Sequence, residues 1–74
     1  MAKLPVVSGQ DMVKVASSLG FEPNRIKGSH AILKKGNSLL VIPLHKTLKK
    51  GTLLAIMKTL GLDHNGLEGL LKRK

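Results

Sequence analysis

Apolar residues recur along this chain at two different periods, and the switch between them divides it into six elements. Met12, Val15, Ala16 and Leu19 stand at i, i+3, i+4 and i+7, one stripe of a helix. Ser8 precedes that stripe, with Asp11 three residues on in a weak capping-box pattern, and Gly20 stands where a left-handed stop belongs. The spacing predicts a first helix over about residues 9 to 19.

The period then shortens. Pro23 and Asn24 interrupt the chain after Phe21, so a first strand is expected only over Arg25 to Lys27. Ser29 to Lys35 alternates loosely, Gly36-Asn37 is a two-residue hairpin signal, and Ser38 to Ile42 is an apolar strand closed by Pro43. These segments predict a three-stranded antiparallel meander. Strand parity puts His30, Ile32 and Lys34 on one face and Ala31 and Leu33 on the other. The second pair is then core, and Ile32 is an exposed apolar side chain suited to a protein contact.

Lys46 to Gly51 forms a basic connection. Leu53, Ile56, Met57 and Leu60 restore the helical period, and Gly61 ends it. Asp63 is placed to cap a short third helix carrying Leu67, Leu70 and Leu71, ahead of a charged tail, Lys72-Arg73-Lys74. The order is α-β-β-β-α with a short C-terminal helix. The expected fold class is α+β, one domain over residues 1–74, with the helices on one face of the sheet and the other face open.

Charge changes the picture most. Thirteen Lys+Arg stand against four Asp+Glu, a net charge of +9. This favours phosphate-rich partners, acidic proteins or anionic membranes. Lysines outnumber arginines 11 to 2, which suits point-charge contacts to phosphate more than bidentate reading of bases. Phe21 is the only aromatic residue, so no stacking platform for single strands is available. There is no cysteine, hence no disulfide framework and no thiolate metal site. The longest apolar run is too short to span a bilayer and the N-terminus lacks a secretion signal, so a cytoplasmic location is expected.

Candidate chemistry centres on Gly28-Ser29-His30. Histidine can accept and donate a proton near neutral pH, which metal-independent RNA cleavage requires. Gly28 permits close approach of a backbone or phosphate, and Ser29 can orient a phosphate oxygen. Lys27 and Lys34 flank His30 along the strands. His45, at the exit of the third strand, is a second proton-transfer group or a phosphate contact. Lys46, Lys49 and Lys50 crowd the start of the second helix, where the dipole is already positive; with the free amides they would make an anion site. The plain alternatives are a solvated strand histidine, a loop histidine and a charge cluster kept for solubility. From spacing alone an idle His30 is the simpler choice. The four acids are scattered and form no two-metal cluster, so no metal and no cofactor is expected.

Taken in order, the first helix, Gly20-Phe21, Gly28-Ser29-His30, Val41-Ile42-Pro43-Leu44-His45, Lys49-Lys50-Gly51-Thr52-Leu53 and Gly61-Leu62 resemble the HicA family of toxins, over about residues 8 to 71. The resemblance implies a fold like a double-stranded-RNA-binding domain and a small ribonuclease of a toxin–antitoxin pair acting on messenger RNA. It maps the active-site histidine onto His30 and implies a HicB-type antitoxin that masks the His30 face. With it, catalysis overtakes the idle histidine. A non-catalytic RNA-binding module using the same lysines remains the alternative.

Overall fold

Ser8 Oγ accepts the Asp11 amide at 3.0 Å, and Asp11 Oδ2 accepts the Ser8 amide at 3.1 Å. This reciprocal capping box satisfies two donors that a helix start leaves open, and it fixes the beginning of α1, Gly9–Ser18. The structure, a computed structural model, describes residues 5–72. The expected N-terminal lead-in falls partly on residues 1–4 and the expected charged tail partly on Arg73 and Lys74, outside the described residues. After α1 come β1 (Glu22–Lys27), β2 (His30–Lys35), β3 (Ser38–Pro43), α2 (Lys50–Leu60) and α3 (His64–Lys72). The sheet is an antiparallel meander with β2 in the centre, as the hairpin signals predict.

Two boundaries differ from the sequence expectation. β1 starts directly after Phe21 and takes in Pro23 and Asn24 instead of breaking at them. The ladder tolerates this because β1 is an edge strand, where a missing proline N–H costs little. The register shifts between Pro23 and Arg25, so Asn24 is a bulge residue without a partner on β2. Lys50 and Gly51 belong to α2, not to the connection before it.

Parity along β2 holds. Ala31, Leu33, Leu40 and Ile42 are buried beneath the helices, together with Met12, Val15, Ala16, Leu53, Ile56, Met57 and Leu67. α1 lies against all three strands, α2 against β3, and α3 against α1. Asp63 Oδ1 accepts the Gly66 amide at 2.7 Å and so caps α3 as expected. At the far end of the sheet, Lys35 Nζ donates to the Leu19 carbonyl at 2.8 Å and sits 6.0 Å from the centre of the Phe21 ring. A cation there satisfies a carbonyl at the C-terminus of α1.

Candidate functional site

β1 runs into one end of the sheet, β2 starts there, and β3 finishes there. Gly28 and Ser29 make the two-residue turn between β1 and β2. Gly28 has φ +60° while no non-glycine residue described has positive φ, the pattern of a II′ hairpin with glycine first. Lys27 and His30 face each other across this turn, so their Cβ atoms are about 5 Å apart. On its other side His30 faces Pro43. His30 is exposed, and its imidazole bonds to no other described residue.

The segment after β3 is fastened at three points. The Leu44 amide donates to the Ser29 carbonyl at 2.6 Å, the Gly9 amide to the His45 carbonyl at 2.9 Å, and the Leu48 amide to the Val7 carbonyl at 2.9 Å. Leu48 is buried, so the backbone is anchored while His45, Lys46, Thr47 and Lys49 project into solvent. α2 then begins behind Lys49, in extended conformation at the N-cap position, with no side chain capping the helix and no acid in the first turn. Its first amides lack the carboxylate or hydroxyl partners that α1 and α3 have, and lysines surround them. Such a start attracts an anion.

Lys27, Gly28, Ser29 and His30 therefore stand at one end of the sheet, with His45 just beyond the β3 exit tied to Ser29, and Lys46, Lys49 and Lys50 follow along the anchored segment that leads to α2. Lys34 stands apart. It shares the open face with His30 but stands four residues along β2, about 13 Å away at strand rise. Its neighbours across the sheet are Glu22 and Leu39. Ile32 also departs from expectation: it is only half-buried, and the exposed apolar side chains of that face are Leu39 and Val41 on β3.

Two residues of this region carry no local mark in the sequence. Arg25 pairs with Ile32 and so stands on the His30 face, one row in from Lys27. Its parity with Lys27, inside the strand expected over Arg25 to Lys27, was the available signal. Gly9 is buried, and a Cβ on it would overlap the Pro43 carbonyl oxygen and lie 2.8 Å from Leu44 Cα. The first residue of a helix ordinarily accepts any side chain, so only the docking of α1 on the β3 exit reveals the requirement.

His64 Nδ1 lies 3.4 Å from Glu68 Oε1 within α3. Among the described residues no three His, Cys, Asp or Glu are grouped so as to hold a metal ion, and no helix is long and apolar enough to cross a membrane.

Comparison with curated proteins and with solved structures yields no match. Comparison with protein families does: residues 9–62 match the family described as "HicA toxin of bacterial toxin-antitoxin". The matched stretch runs from the first residue of α1 to just past the stop of α2 and contains the whole basic region described above, with α3 beyond it. With its α-β-β-β-α core and most of its length inside that match, the chain belongs to the HicA toxin family of bacterial toxin–antitoxin systems.

Proposed function

We propose that this protein, acting as a single domain, is a metal-independent endoribonuclease that cleaves messenger RNA, with His30 as general acid/base. The observation that carries the reading is an exposed imidazole beside Lys27 at the basic end of the sheet, in a chain of a toxin family. Cleavage needs a base to take the proton of a ribose 2′-hydroxyl as its oxygen attacks phosphorus. It also needs an acid to protonate the departing 5′-oxygen, and positive charge near the phosphoryl oxygens. His30 takes one of the two proton transfers. His45, on the anchored segment beyond Pro43, is the candidate for the other, or a phosphate contact. The reaction leaves a 2′,3′-cyclic phosphate or its hydrolysed form.

Lys27 neutralises the phosphate being cut, and Gly28 and Ser29 let it approach the turn. Lys46, Lys49, Lys50 and the first amides of α2 hold a neighbouring phosphate. Lys34, farther along β2, contacts RNA away from the cut. A HicB-type antitoxin covering the His30 face keeps the enzyme silent, and the net charge of +9 draws in both the RNA and an acidic inhibitor.

One observation favours a non-catalytic RNA-binding module instead: no described residue orients the His30 imidazole. Incubating the purified chain with messenger RNA in EDTA separates the two. Cleavage is expected, and His30→Ala should lower its rate by about 10²–10⁴ without changing RNA affinity. His45→Ala should have a smaller effect. Cleavage undiminished in His30→Ala overturns the assignment, and RNA binding without cleavage establishes the module.

A further inference from the structure

The two outer strands of the sheet are built differently. β1 carries Pro23, which has no N–H, the unpaired bulge residue Asn24, and the charges of Glu22, Arg25 and Lys27. These are the devices by which edge strands resist pairing with another chain. β3, Ser38-Leu39-Leu40-Val41-Ile42-Pro43, has no charge, no bulge and no proline before its last residue.

The register identifies the free backbone groups of β3. Lys35 and Ser38 close a two-residue turn and so exchange ladder bonds, after which every second residue of β3 points its amide inward. Ser38, Leu40 and Ile42 therefore bond to β2, and the alternation continues at Leu44, whose amide donates to the Ser29 carbonyl. Leu39 and Val41 point N–H and C=O outward, and no further strand among the described residues pairs with them. The same two residues send their side chains onto the open face, 61% and 49% exposed. Two open ladder rungs and two apolar side chains thus stand in register, one strand away from His30.

We propose that the outer edge of β3 is a strand-addition site that accepts an extended segment of the antitoxin, apolar at alternate positions and rich in carboxylates. Main-chain bonds to Leu39 and Val41 supply affinity, and the alternate apolar side chains supply fit. Charge selects the occupant. A second copy would bring another +9 against the first, whereas an acidic segment is attracted by the whole field. Pro43, without an N–H, ends the run at the His30 end. An added strand lies about 10 Å from β2, close enough for its side chains beside Pro43 to overhang the approach to His30. That last consequence, blocked access of RNA, rests on His30 being the catalytic residue; the docking site itself does not.

The test uses the full chain, ¹⁵N-labelled, and a synthetic end-capped peptide of about eight residues alternating glutamate and valine, the length of a typical strand. The Leu39 and Val41 amides should shift and exchange roughly tenfold more slowly with peptide, while β1 amides do not respond. Val41→Pro removes an outward donor and leaves the inward bonds of Leu40 and Ile42, so it should weaken the peptide roughly tenfold. Should that variant fold poorly, the same peptide N-methylated along its bonding edge tests the wild-type chain, with equal weakening expected. A lysine–valine peptide should bind more weakly than the glutamate–valine one. Three results overturn the proposal: responses confined to β1 or the helices, equal binding of the N-methylated peptide, or concentration-dependent protection of Leu39 and Val41 in the protein alone, which assigns the edge to a second copy. RNA cleavage by the free chain is read in parallel. A chain that binds peptide but cleaves nothing loses the His30 assignment and keeps the docking site; one that cleaves RNA but ignores peptide does the reverse.

Discussion

Replacing Gly9 by alanine adds one methyl group where the first turn of α1 meets the exit of β3. The new Cβ would overlap the Pro43 carbonyl oxygen and stand 2.8 Å from Leu44 Cα and 2.9 Å from the Pro43 carbonyl carbon. All three are backbone atoms, in a segment tied by Leu44 to Ser29 and by His45 to Gly9 itself, so no side-chain rotation relieves the overlap. Forcing a methyl into packed surroundings costs about 1–3 kcal/mol. Loss of the hydrogen bond from Gly9 to His45 adds about 1 kcal/mol. The better helix propensity of alanine returns at most about 0.5 kcal/mol at a helix start. The net is about 1.5–3.5 kcal/mol, which lowers Tm by about 6–28 °C in a chain of this size. Thermal and urea unfolding followed by circular dichroism measure it. Gly69→Ala is the matched control, since nothing lies within 4 Å of a Cβ there and its φ is not positive. That change should stabilise by about 0.5–1 kcal/mol. Gly9→Ala as stable as the parent, with Gly69→Ala behaving as expected, would refute the close approach of α1 to the β3 exit.

Other consequences are open to simpler measurements. Lys49→Ala and Lys50→Ala should each flatten the slope of log affinity for single-stranded RNA against log salt by about 0.7, one phosphate contact apiece; an unchanged slope removes the α2 start from the interface. Lys34→Ala, about 13 Å from His30, should alter RNA affinity but spare the cleavage rate of bound RNA, measured in single turnover. Lys35→Met strips the cation from the Leu19 carbonyl and the Phe21 ring, and an exposed contact of that kind should cost about 0.5–1 kcal/mol in urea unfolding. Leu67→Ala opens a hole at a fully buried position and should cost about 2–5 kcal/mol, a check that α3 completes the core although it lies outside the family match.

Much of this architecture is written in local signals. The stripe from Met12 to Leu19 and the stripe from Leu53 to Leu60 suffice for two helices, because an apolar face at helical spacing must be buried against another element. Ser8 with Asp11, and Asp63, announce helix starts by chemistry that acts within one turn. Gly28 and Gly36 lead turns whose first central residue needs positive φ, and each sets the register of the strands it joins. Parity along β2 follows from that register, so His30 on the open face and Leu33 in the core are both legible in sequence.

What sequence alone misjudged are relations between segments. Pro23 looks like a breaker by local rule, yet edge position makes it acceptable, and the bulge at Asn24 lets the strand continue past Arg25 with its register shifted. Shared parity groups Lys34 with His30, but strand rise separates them by about 13 Å, and only the tie of the β3 exit to the β1–β2 turn brings the segment carrying His45 to the His30 end. The need for glycine at position 9 and the openness of the β3 edge belong to the same class. Sequence determined the elements, their caps and turns, and the face on which His30 lies, because those depend on neighbours within a few residues. Tertiary structure decided which charges meet, which backbone needs room and which edge is left open, because these depend on where separate elements come to rest against one another.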